Sequence, residues 1–310
     1  MDWKHPDLTA LVAAALEEDL GGMHDSSGDL TAVATAPIGS TARGTIYAKQ
    51  RAIVAGLPLV ARVFQTVDAR LECELLAVEG AQVEPGKPVF RAAGNARSIL
   101  SGERTALNFL AHLSGVATFT RQFVQAVSGT RARVRDTRKT TPLHRALEKY
   151  AVLAGGGVNH RFGLHDAILI KENHVAIAGG IGEALRRAHE FVASREPVLN
   201  EMTAYEAFQP PKESAAAIQI QIEVRNESEL REALAALAPS VLLDNQTPEE
   251  AARLVAIVRG IAPACVVEIS GGVNLANVRA YAQSGADFIA IGAITHSAPA
   301  ADFSLLFETS

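Results

Sequence analysis

The sequence predicts an α/β protein in which an N-terminal α+β domain precedes a barrel-like domain of fewer than eight strands. Four apolar runs late in the chain begin at residues 218, 241, 265 and 288, and amphipathic stretches typical of helices fill the intervals of 23, 24 and 23 residues. This spacing matches one strand and one helix with short loops, so we expect parallel strands joined by right-handed crossovers. Residues 131 to about 297 have room for roughly seven such units, fewer than a closed eight-stranded barrel requires.

The first 130 residues show a different pattern of predicted helices and strands. Apolar residues recur at helical spacing from Leu8 to Leu16, and Gly21 and Gly22 are expected to end that helix. Short runs with strand character follow, separated by glycines, at residues 44–48, 52–54, 71–78 and 88–92. From Ala96 to about Val127 the pattern becomes helical again, and we expect a break near Ser114 and Gly115.

The barrel-like region alternates strands and helices. The expected strands cover residues 132–135, 167–170, 218–222, 241–243, 265–269 and 288–291. Helices are expected at residues 181–192, 227–237 and 248–259. Residues 195–217, which include three prolines, interrupt this alternation and are interpreted as a surface insertion.

Composition excludes several classes of protein. The 310 residues are 48% hydrophobic and 20% charged, so the chain can bury a sizeable core. Its net charge of −5 argues against a general nucleic-acid binder. Its two cysteines, Cys73 and Cys265, are too few for a disulfide framework or a cysteine-based zinc site. No apolar run approaches a membrane span and the N-terminus has no apolar signal core, so we expect a cytoplasmic protein without membrane partners.

Polar, charged or glycine residues follow the expected barrel strands. They are Asp136, Lys171, Glu223, Asp244, Ser270 and Gly292. Any one of them has about even odds of being an ordinary helix cap, but six together indicate a site. The C-terminal ends of barrel strands converge, and we call the end formed by these six positions the mouth.

Positive charge is concentrated before the second expected strand. Residues 131–171 contain nine lysines and arginines against three acidic residues, a local charge of +6. Part of this run is a solvated face, but Arg138, Lys139, Arg161 and Lys171 each follow a strand or a glycine-rich loop and would face the mouth. Guanidinium groups capture carboxylates or phosphates in pairs of hydrogen bonds. His160 gains interest only through its neighbour Arg161, and the expected ligand is small and polyanionic.

A phosphate site is expected at the last two strands. Ser270, Gly271 and Gly272 follow an apolar strand and are expected to open a helix, where backbone N–H groups bind phosphate. Gly292 and Ala293 would supply the adjacent loop, as is common in barrels. The carboxylates of Glu223 and Asp244 suit metal binding, acid–base chemistry or sugar hydroxyls. Together these features indicate a phosphorylated sugar that meets a second anion.

Six motifs resemble the quinolinate phosphoribosyltransferase (decarboxylating nicotinate-nucleotide pyrophosphorylase) family. They are ERTALN at 103–108, DTRKTTP at 136–142, GGGVNHR at 155–161, LIKENH at 169–174, LDN at 243–245 and SGG at 270–272. The resemblance runs in order from about Leu16 to Ser297. It implies an N-terminal α/β sandwich domain (1–115) with a helical arm, an open, incomplete α/β barrel of the type II phosphoribosyltransferase kind (116–297), and a C-terminal segment (298–310) that returns to the first domain.

The resemblance also implies an activity, a pentosyl transfer in NAD biosynthesis. Quinolinate and 5-phosphoribosyl-1-pyrophosphate (PRPP) would give nicotinate mononucleotide, CO₂ and pyrophosphate in the presence of Mg²⁺. The family implies a homodimer or higher homo-oligomer with shared active sites, in which the partner's N-terminal domain completes each site. Two departures stand out: Leu143 lies where a glycine is more usual, and the 195–217 insertion exceeds the family's usual link.

Residue roles follow from the resemblance by position. Arg138, His160, Arg161 and Lys171 would hold the quinolinate carboxylates, with Lys139 beside them toward the pyrophosphate. Arg104 would reach across from the partner subunit. Glu223 and Asp244 would bind the ribose hydroxyls and, indirectly, the Mg²⁺ carried by PRPP. Ser270, Gly271, Gly272, Gly292 and Ala293 would surround the 5-phosphate, and Lys139, Lys171, Glu223 and Asp244 would be catalytic.

Three other functions are compatible with parts of the pattern. A phosphoribosyltransferase acting on another ring such as nicotinate, without decarboxylation, would need fewer cations than this chain offers. A Schiff-base aldolase could use Lys171, although such a lysine needs an apolar pocket and this neighbourhood is cationic. A sensor of a phosphorylated metabolite would bind PRPP and quinolinate without forming product.

Overall fold

A computed structural model describes residues 1–23, 25–194 and 218–308. The chain divides into two compact units. The first consists of Met1–Arg121, Pro142–Gly156 and Ala298–Ser310, and the second of Gln122–Thr141 and Gly157–Ser297. The predicted insertion at 195–217 lies outside the described residues. No helix in the described ranges has both the length and the apolar character that a membrane crossing demands.

The described residues form helices and strands in a mixed order. The helices are α1 (Pro6–Leu20), α2 (Leu30–Thr35), α3 (Leu57–Val67), α4 (Ala96–Ala126), α5 (Arg145–Ala154), α6 (Glu172–Ala178), α7 (Ile181–Ser194), α8 (Glu227–Ala235), α9 (Pro248–Ile261), α10 (Val278–Ala282) and α11 (Ala293–His296). The strands are β1 (Thr41–Ala48), β2 (Ala52–Ile53), β3 (Glu72–Leu75), β4 (Gln82–Val83), β5 (Pro88–Asn95), β6 (Arg133–Arg135), β7 (Ala167–Ile170), β8 (Gln219–Val224), β9 (Ser240–Asp244), β10 (Val266–Ser270), β11 (Phe288–Ala290) and β12 (Phe303–Phe307).

The first unit is built on a four-stranded antiparallel sheet. Its strand order is β12-β1-β5-β3, and α3 packs against β3 and β5 while α1 packs against α3. The rings of Phe64 on α3 and Phe90 on β5 stack with centroids 5.7 Å apart, and both are fully buried. Burying aromatic rings between a helix and a sheet removes much apolar surface from water. The predicted N-terminal sandwich is therefore confirmed.

The predicted break in the fourth helix is wrong, because α4 runs without interruption from Ala96 to Ala126. Ser114 and Gly115 have tertiary roles instead. The Ser114 hydroxyl accepts a hydrogen bond from the backbone N–H of Ala55 at 3.1 Å. A Cβ on Gly115 would lie 2.2 Å from the backbone oxygen of Pro299. A glycine is needed here because another part of the chain packs directly against the helix.

Replacing Gly115 with alanine tests this explanation. An alanine normally stabilises a helix by about 1 kcal/mol relative to glycine, but here its methyl group meets a backbone oxygen that cannot rotate away. We expect the free energy of unfolding to fall by about 1–3 kcal/mol, measured by denaturant titration. Gly260→Ala in α9 is the matched control, since no atom lies within 4 Å of its added Cβ. A stabilised Gly115→Ala variant would contradict the packing explanation.

The second unit contains a six-stranded sheet in the order β6-β11-β10-β9-β8-β7. All five neighbouring pairs are parallel. The two edges, β6 and β7, are consecutive strands of this sheet in the chain, and Val158 bridges Arg135 at the β6 edge. These edges would have to pair with each other in a closed barrel. The predicted open, incomplete α/β barrel is confirmed, and the chain belongs to the α/β class.

The estimate of roughly seven strand-helix units was too high for the part of the chain that the structure describes. Its parallel sheet has six strands. The long interval between β6 and β7 contains no further strand of this sheet among the described residues. It contains α5, which belongs to the first unit, and the isolated bridge between Val158 and Arg135. Sequence spacing alone cannot show that a helix between two strands packs in another unit.

Candidate active site

The C-terminal edge of the parallel sheet carries the residues predicted for the mouth. Asp136 and Lys171 come directly after β6 and β7, whereas Glu223, Asp244 and Ser270 are still within their strands. Ser270 pairs in register with Asp244. Because the strands are parallel, these C-terminal ends lie along one edge. The strand ends differ from the sequence prediction by one or two residues, since the hydrogen-bond ladder continues past the last apolar residue.

Lys171 and Glu223 form an ion pair across neighbouring strand ends. The Nζ of Lys171 donates to Oε2 of Glu223 at 2.5 Å. The Glu223 side chain is 13% exposed, while that of Lys171 is 49% exposed. The largely shielded carboxylate therefore fixes the ammonium group at the mouth. This polar pairing does not provide the apolar pocket that a Schiff-base lysine needs.

Asp244 shares this electrostatic environment. Burial raises the pKa of its carboxyl group, and the nearby negative charge of Glu223 raises it further, while Lys171 and Lys139 act in the opposite direction. The side-chain amide of Asn245 donates to Oδ2 of Asp244 at 2.7 Å. The mouth thus holds two carboxylates and two ammonium groups whose charges act on one another.

Replacing Asp244 with asparagine should separate stability from function. A carboxyl group with a raised pKa in the folded protein costs stability once pH rises above its unfolded pKa of 3.8. We therefore expect Asp244→Asn to unfold at a slightly higher temperature at pH 7, a gain that disappears below pH ~4. The sequence assigns Asp244 a catalytic role, and on that expectation turnover should fall at least about tenfold, because its negative charge would no longer act on the reacting group. Calorimetry at pH 3.5 and 7 with steady-state assays measures both, and a lower melting temperature at pH 7 would disprove the first expectation.

A second group of cations lies on the loops that follow β6 and precede β7. Burial lowers the pKa of the Arg161 guanidinium, and the positive charge of Arg138 lowers it further. Asp166 opposes this effect, but its carboxylate accepts hydrogen bonds from the backbone N–H groups of Phe162 at 2.7 Å and Gly163 at 3.0 Å. One Arg161 terminal nitrogen donates to the carbonyl of Ala167 at 2.9 Å. A bound anion would relieve the repulsion between the two arginines.

His160 is held on both sides of its ring. Its Nδ1 accepts a hydrogen bond from the backbone N–H of Arg161 at 2.7 Å. Its Nε2 lies 3.0 Å from Oε1 of Gln221. The backbone N–H of His160 itself donates to the buried carboxylate of Asp136 at 2.6 Å. The backbone at the start of the Arg161 loop is consequently held through two successive N–H groups, those of His160 and Arg161.

The SGG segment approaches the end of β9 closely. Gly271 has φ +98°, and a Cβ there would lie 2.1 Å from Oδ1 of Asn245. The backbone N–H of Asn245 donates to the carbonyl of Ser270 at 2.9 Å. The expectation that this segment opens a helix is wrong, because α10 begins only at Val278. Two successive glycines with positive φ form a loop instead, and the Asn277 side chain holds it by donating to the Gly272 carbonyl at 3.0 Å.

The segment after β11 brings Gly292 next to Lys139. A Cβ on Gly292 would lie 3.0 Å from Cδ of Lys139 and 3.1 Å from Nε2 of His296. The hydroxyl of Thr295 donates to the carbonyl of Lys139 at 2.7 Å. Ala293 begins α11. Lys139 is thereby anchored beside the predicted phosphate loops.

The structure brings together all but one of the predicted site residues in the second unit. The exception, Arg104, belongs to the first unit and is exposed on α4. Among residues 1–23, 25–194 and 218–308, no group of three or more His, Cys, Asp or Glu side chains could hold a metal ion.

Five residues of this region were missed by sequence reasoning. They are Arg135, Gln221, Asn245, Glu268 and His296. Glu268 was detectable, since it interrupts the apolar strand VVEIS and a charged residue there must be paired. Asn245 lies in a motif already noted, but its contact with Gly271 depends on the register of two strands. His296 likewise reaches the mouth only through the turn at Gly292.

An open parallel barrel whose mouth combines paired carboxylates, a cation cluster and a glycine loop defines a protein that binds a phosphorylated, polyanionic ligand. Family models identify the protein more closely. The C-terminal domain model of quinolinate phosphoribosyl transferase matches residues 116–211 and 204–306, and the N-terminal domain model matches residues 29–114. The chain belongs to the quinolinate phosphoribosyl transferase family.

Individual relatives agree with this assignment. The chain is 40% identical over 258 residues to a probable nicotinate-nucleotide pyrophosphorylase (carboxylating) of Synechocystis, covering 83% of this chain and 80% of that protein. It is 37% identical over 299 residues to the nicotinate-nucleotide pyrophosphorylase (carboxylating) of Mycobacterium leprae, covering 95% of each. The solved structure of the Francisella tularensis nicotinate-nucleotide pyrophosphorylase superposes with a TM-score of 0.84 at 35% identity, covering 98% of each chain. The resemblance inferred from the motifs is confirmed.

Proposed function

We propose that this protein transfers the phosphoribosyl group of PRPP to quinolinate with loss of CO₂, giving nicotinate mononucleotide and pyrophosphate for NAD biosynthesis. Family membership supports the reaction class. The observation that carries the substrate assignment is the arginine pair. Arg161 is half-buried beside the like charge of Arg138, an arrangement that a dianionic ring would stabilise.

The quinolinate carboxylates are assigned to Arg138, Arg161 and Lys171. The two guanidinium groups offer paired donors, and the Lys171 ammonium group is fixed at the adjacent strand end by Glu223. His160 lies beside these cations, with its ring nitrogens directed at Arg161 and Gln221. The three cations would orient the acceptor nitrogen of quinolinate toward the ribose, which lowers the entropic barrier to transfer.

The phosphoribosyl part is assigned to the other strand ends. Departure of pyrophosphate builds positive charge at the anomeric carbon, and the carboxylates of Glu223 and Asp244 would stabilise that charge. Lys139 would face the pyrophosphate. Residues of the two glycine loops would surround the 5-phosphate with backbone N–H groups: Ser270, Gly271, Gly272, Gly292 and Ala293.

The carboxylates of Glu223 and Asp244, together with oxygens of PRPP, form a donor set that suits Mg²⁺. Magnesium in phosphate sites is bound by one or two carboxylates together with substrate oxygens, and the mouth offers the carboxylates of Glu223 and Asp244. When bound, the ion would neutralise the charge of the leaving pyrophosphate. These two residues are the ones that would hold it, directly or through water.

Decarboxylation needs no dedicated base in this scheme. Once the ring nitrogen carries the ribose it is cationic, and it stabilises the carbanion left when the adjacent carboxylate departs as CO₂. The chain would contribute positioning through Arg138 and Arg161 and charge complementarity through Lys171.

The remaining assignments concern assembly and location. Arg104 is exposed on α4 and would complete the site of a partner subunit in a homodimer or larger homo-oligomer. Sedimentation at assay concentrations checks this assembly.

We place the protein in the cytoplasm, where the free thiols of Cys73 and Cys265 would stay reduced.

A coupled assay tests the reaction. Purified protein is incubated with quinolinate, PRPP and Mg²⁺, and nicotinate mononucleotide and CO₂ are followed, with nicotinate replacing quinolinate in a parallel reaction. We expect product from quinolinate only, with equal amounts of nucleotide and CO₂. Product from nicotinate alone would overturn the dicarboxylate pocket, and binding of both substrates without product would indicate a sensor.

A further inference from the structure

A chain of buried polar side chains lies beneath the mouth in the second unit. Glu268 on β10 is completely buried, and Gln221 on β8 is nearly so. Oε2 of Glu268 accepts a hydrogen bond from a terminal nitrogen of Arg135 at 2.7 Å and another from Nε2 of Gln221 at 3.2 Å. The Arg135 guanidinium also covers the ring of Phe288, 3.6 Å from its centroid. Buried polar groups of this kind are costly unless each is directed at a partner.

The carboxylate of Glu268 determines which way the Gln221 amide faces. A carboxylate only accepts hydrogen bonds, so the amide must turn its NH₂ group toward Glu268. Its oxygen then faces Nε2 of His160 at 3.0 Å. The hydroxyl of Ser240, 3.2 Å from Nε2 of Gln221, can donate or accept and so does not set the direction.

The direction of that amide sets the tautomer of His160. An amide oxygen facing Nε2 accepts a hydrogen bond only if Nε2 carries a proton. Oε1 of Glu268 lies 3.6 Å from the same nitrogen, and its negative charge also favours a proton there. Nδ1 is then unprotonated and able to accept the backbone N–H of Arg161 at 2.7 Å. The opposite tautomer would place two N–H groups against each other there.

We infer that Glu268 and Gln221 are positioning residues that fix the tautomer of His160 and thereby the start of the Arg161 loop. His160 then serves the quinolinate site by holding the backbone of Arg161. This inference rests on the proposed function for its kinetic consequence, although the tautomer itself is independent of any activity.

Nitrogen NMR of histidine-labelled full-length protein tests the tautomer directly. We expect His160 to show an unprotonated Nδ1 and a protonated Nε2, with the signals assigned through their loss in His160→Asn. In Glu268→Gln the amide that replaces the carboxylate can donate or accept, so His160 should shift toward a mixture of tautomers. A protonated Nδ1 in the wild type, or an unchanged tautomer in Glu268→Gln, would overturn the inference.

Kinetics test the consequence. Glu268→Gln should raise the KM for quinolinate about tenfold to a hundredfold, the range expected when a binding group is misplaced by about 1 Å, while the KM for PRPP changes less than about twofold. The matched control is Glu148→Gln, which removes a completely buried carboxylate 2.9 Å from a ring nitrogen of His112 in the first unit. It should leave the KM for quinolinate unchanged. Equal effects of the two variants on that KM would refute a specific role for Glu268.

Two substitutions of His160 keep the test decisive if Glu268→Gln fails to fold. The Asn side chain in His160→Asn can place an oxygen near the position of Nδ1 and accept the Arg161 N–H, whereas His160→Ala cannot. We expect His160→Asn to retain a KM for quinolinate at least about tenfold lower than that of His160→Ala. Equally damaged variants would show that the ring itself binds substrate. If the wild type does not turn over quinolinate but the tautomer responds to Glu268→Gln, the proposed function fails and the positioning network stands.

Discussion

Replacing Arg161 with alanine is expected to raise the KM for quinolinate about a hundredfold, or to abolish turnover, while PRPP still binds. A charged hydrogen bond contributes about 1.5–3 kcal/mol, and tenfold in affinity corresponds to about 1.4 kcal/mol. Arg161 contacts the His160 ring and the carbonyl of Ala167 and lies near the charge of Arg138, all on the loops assigned to the quinolinate carboxylates. The loss should therefore fall on one substrate only.

Arg161→Ala separates the effect of the guanidinium group from that of the Arg161 backbone. Alanine keeps the N–H group that donates to His160, so the loop entrance is retained while the guanidinium group is lost. Steady-state kinetics give the KM for quinolinate, and isothermal titration gives the affinity for PRPP. Arg231→Ala is a suitable control, since Arg231 pairs with Glu227 on the exposed surface of α8. An unchanged KM for quinolinate in Arg161→Ala would refute the carboxylate assignment.

Replacing Gly271 with alanine is expected to weaken PRPP use about a hundredfold and to lower the melting temperature. The new Cβ would lie 2.1 Å from Oδ1 and 2.8 Å from the backbone nitrogen of Asn245, and φ +98° is unfavourable for any side chain. Because Asn245 directly follows β9 and its backbone N–H is bonded to the carbonyl of Ser270, the glycine loop must move, and its N–H groups would leave the phosphate position. Overpacking of this kind costs about 1–3 kcal/mol, or several degrees for a domain of this size.

Gly272→Ala provides the matched comparison. Gly272 also has a positive φ of +63°, but no atom lies within 4 Å of its added Cβ. It should bear only the left-handed backbone penalty of about 1 kcal/mol and keep most PRPP affinity. Thermal unfolding and PRPP titration of both variants measure the difference. Similar PRPP affinities for Gly271→Ala and Gly272→Ala would contradict the assigned role of the close approach.

Sequence reasoning was most successful where local patterns decide the structure. The parallel strands from β8 to β11 were predictable because apolar runs recur at a nearly constant interval and each alternates with an amphipathic helix. The charges at the mouth followed from that prediction, since residues at the ends of parallel strands must share an edge. Lys171 and Glu223 illustrate this, because they are 52 positions apart and in direct contact.

Features that depend on distant contacts could not be predicted in this way. The helix α3 was missed because its first residues have no local capping side chain, and the carboxylate of Glu79 instead accepts from the N–H groups of Gly56 and Leu57. The false break in α4 has the same origin, since the reason for Gly115 lies at Pro299. In both cases a residue far away in the chain supplies what the local sequence lacks.

The pairing of β12 with β1 has a consequence for synthesis of the chain on the ribosome. Gly44 on β1 pairs with Phe307 on β12, so β1 lacks this neighbouring strand until more than 250 further residues have been translated. At translation rates of about 5–20 residues per second, this delay lasts about 13–50 s. During that time β1 presents unpaired N–H and C=O groups, a known template for wrong pairing. We therefore expect nascent chains to need protection by a chaperone until the last strand emerges.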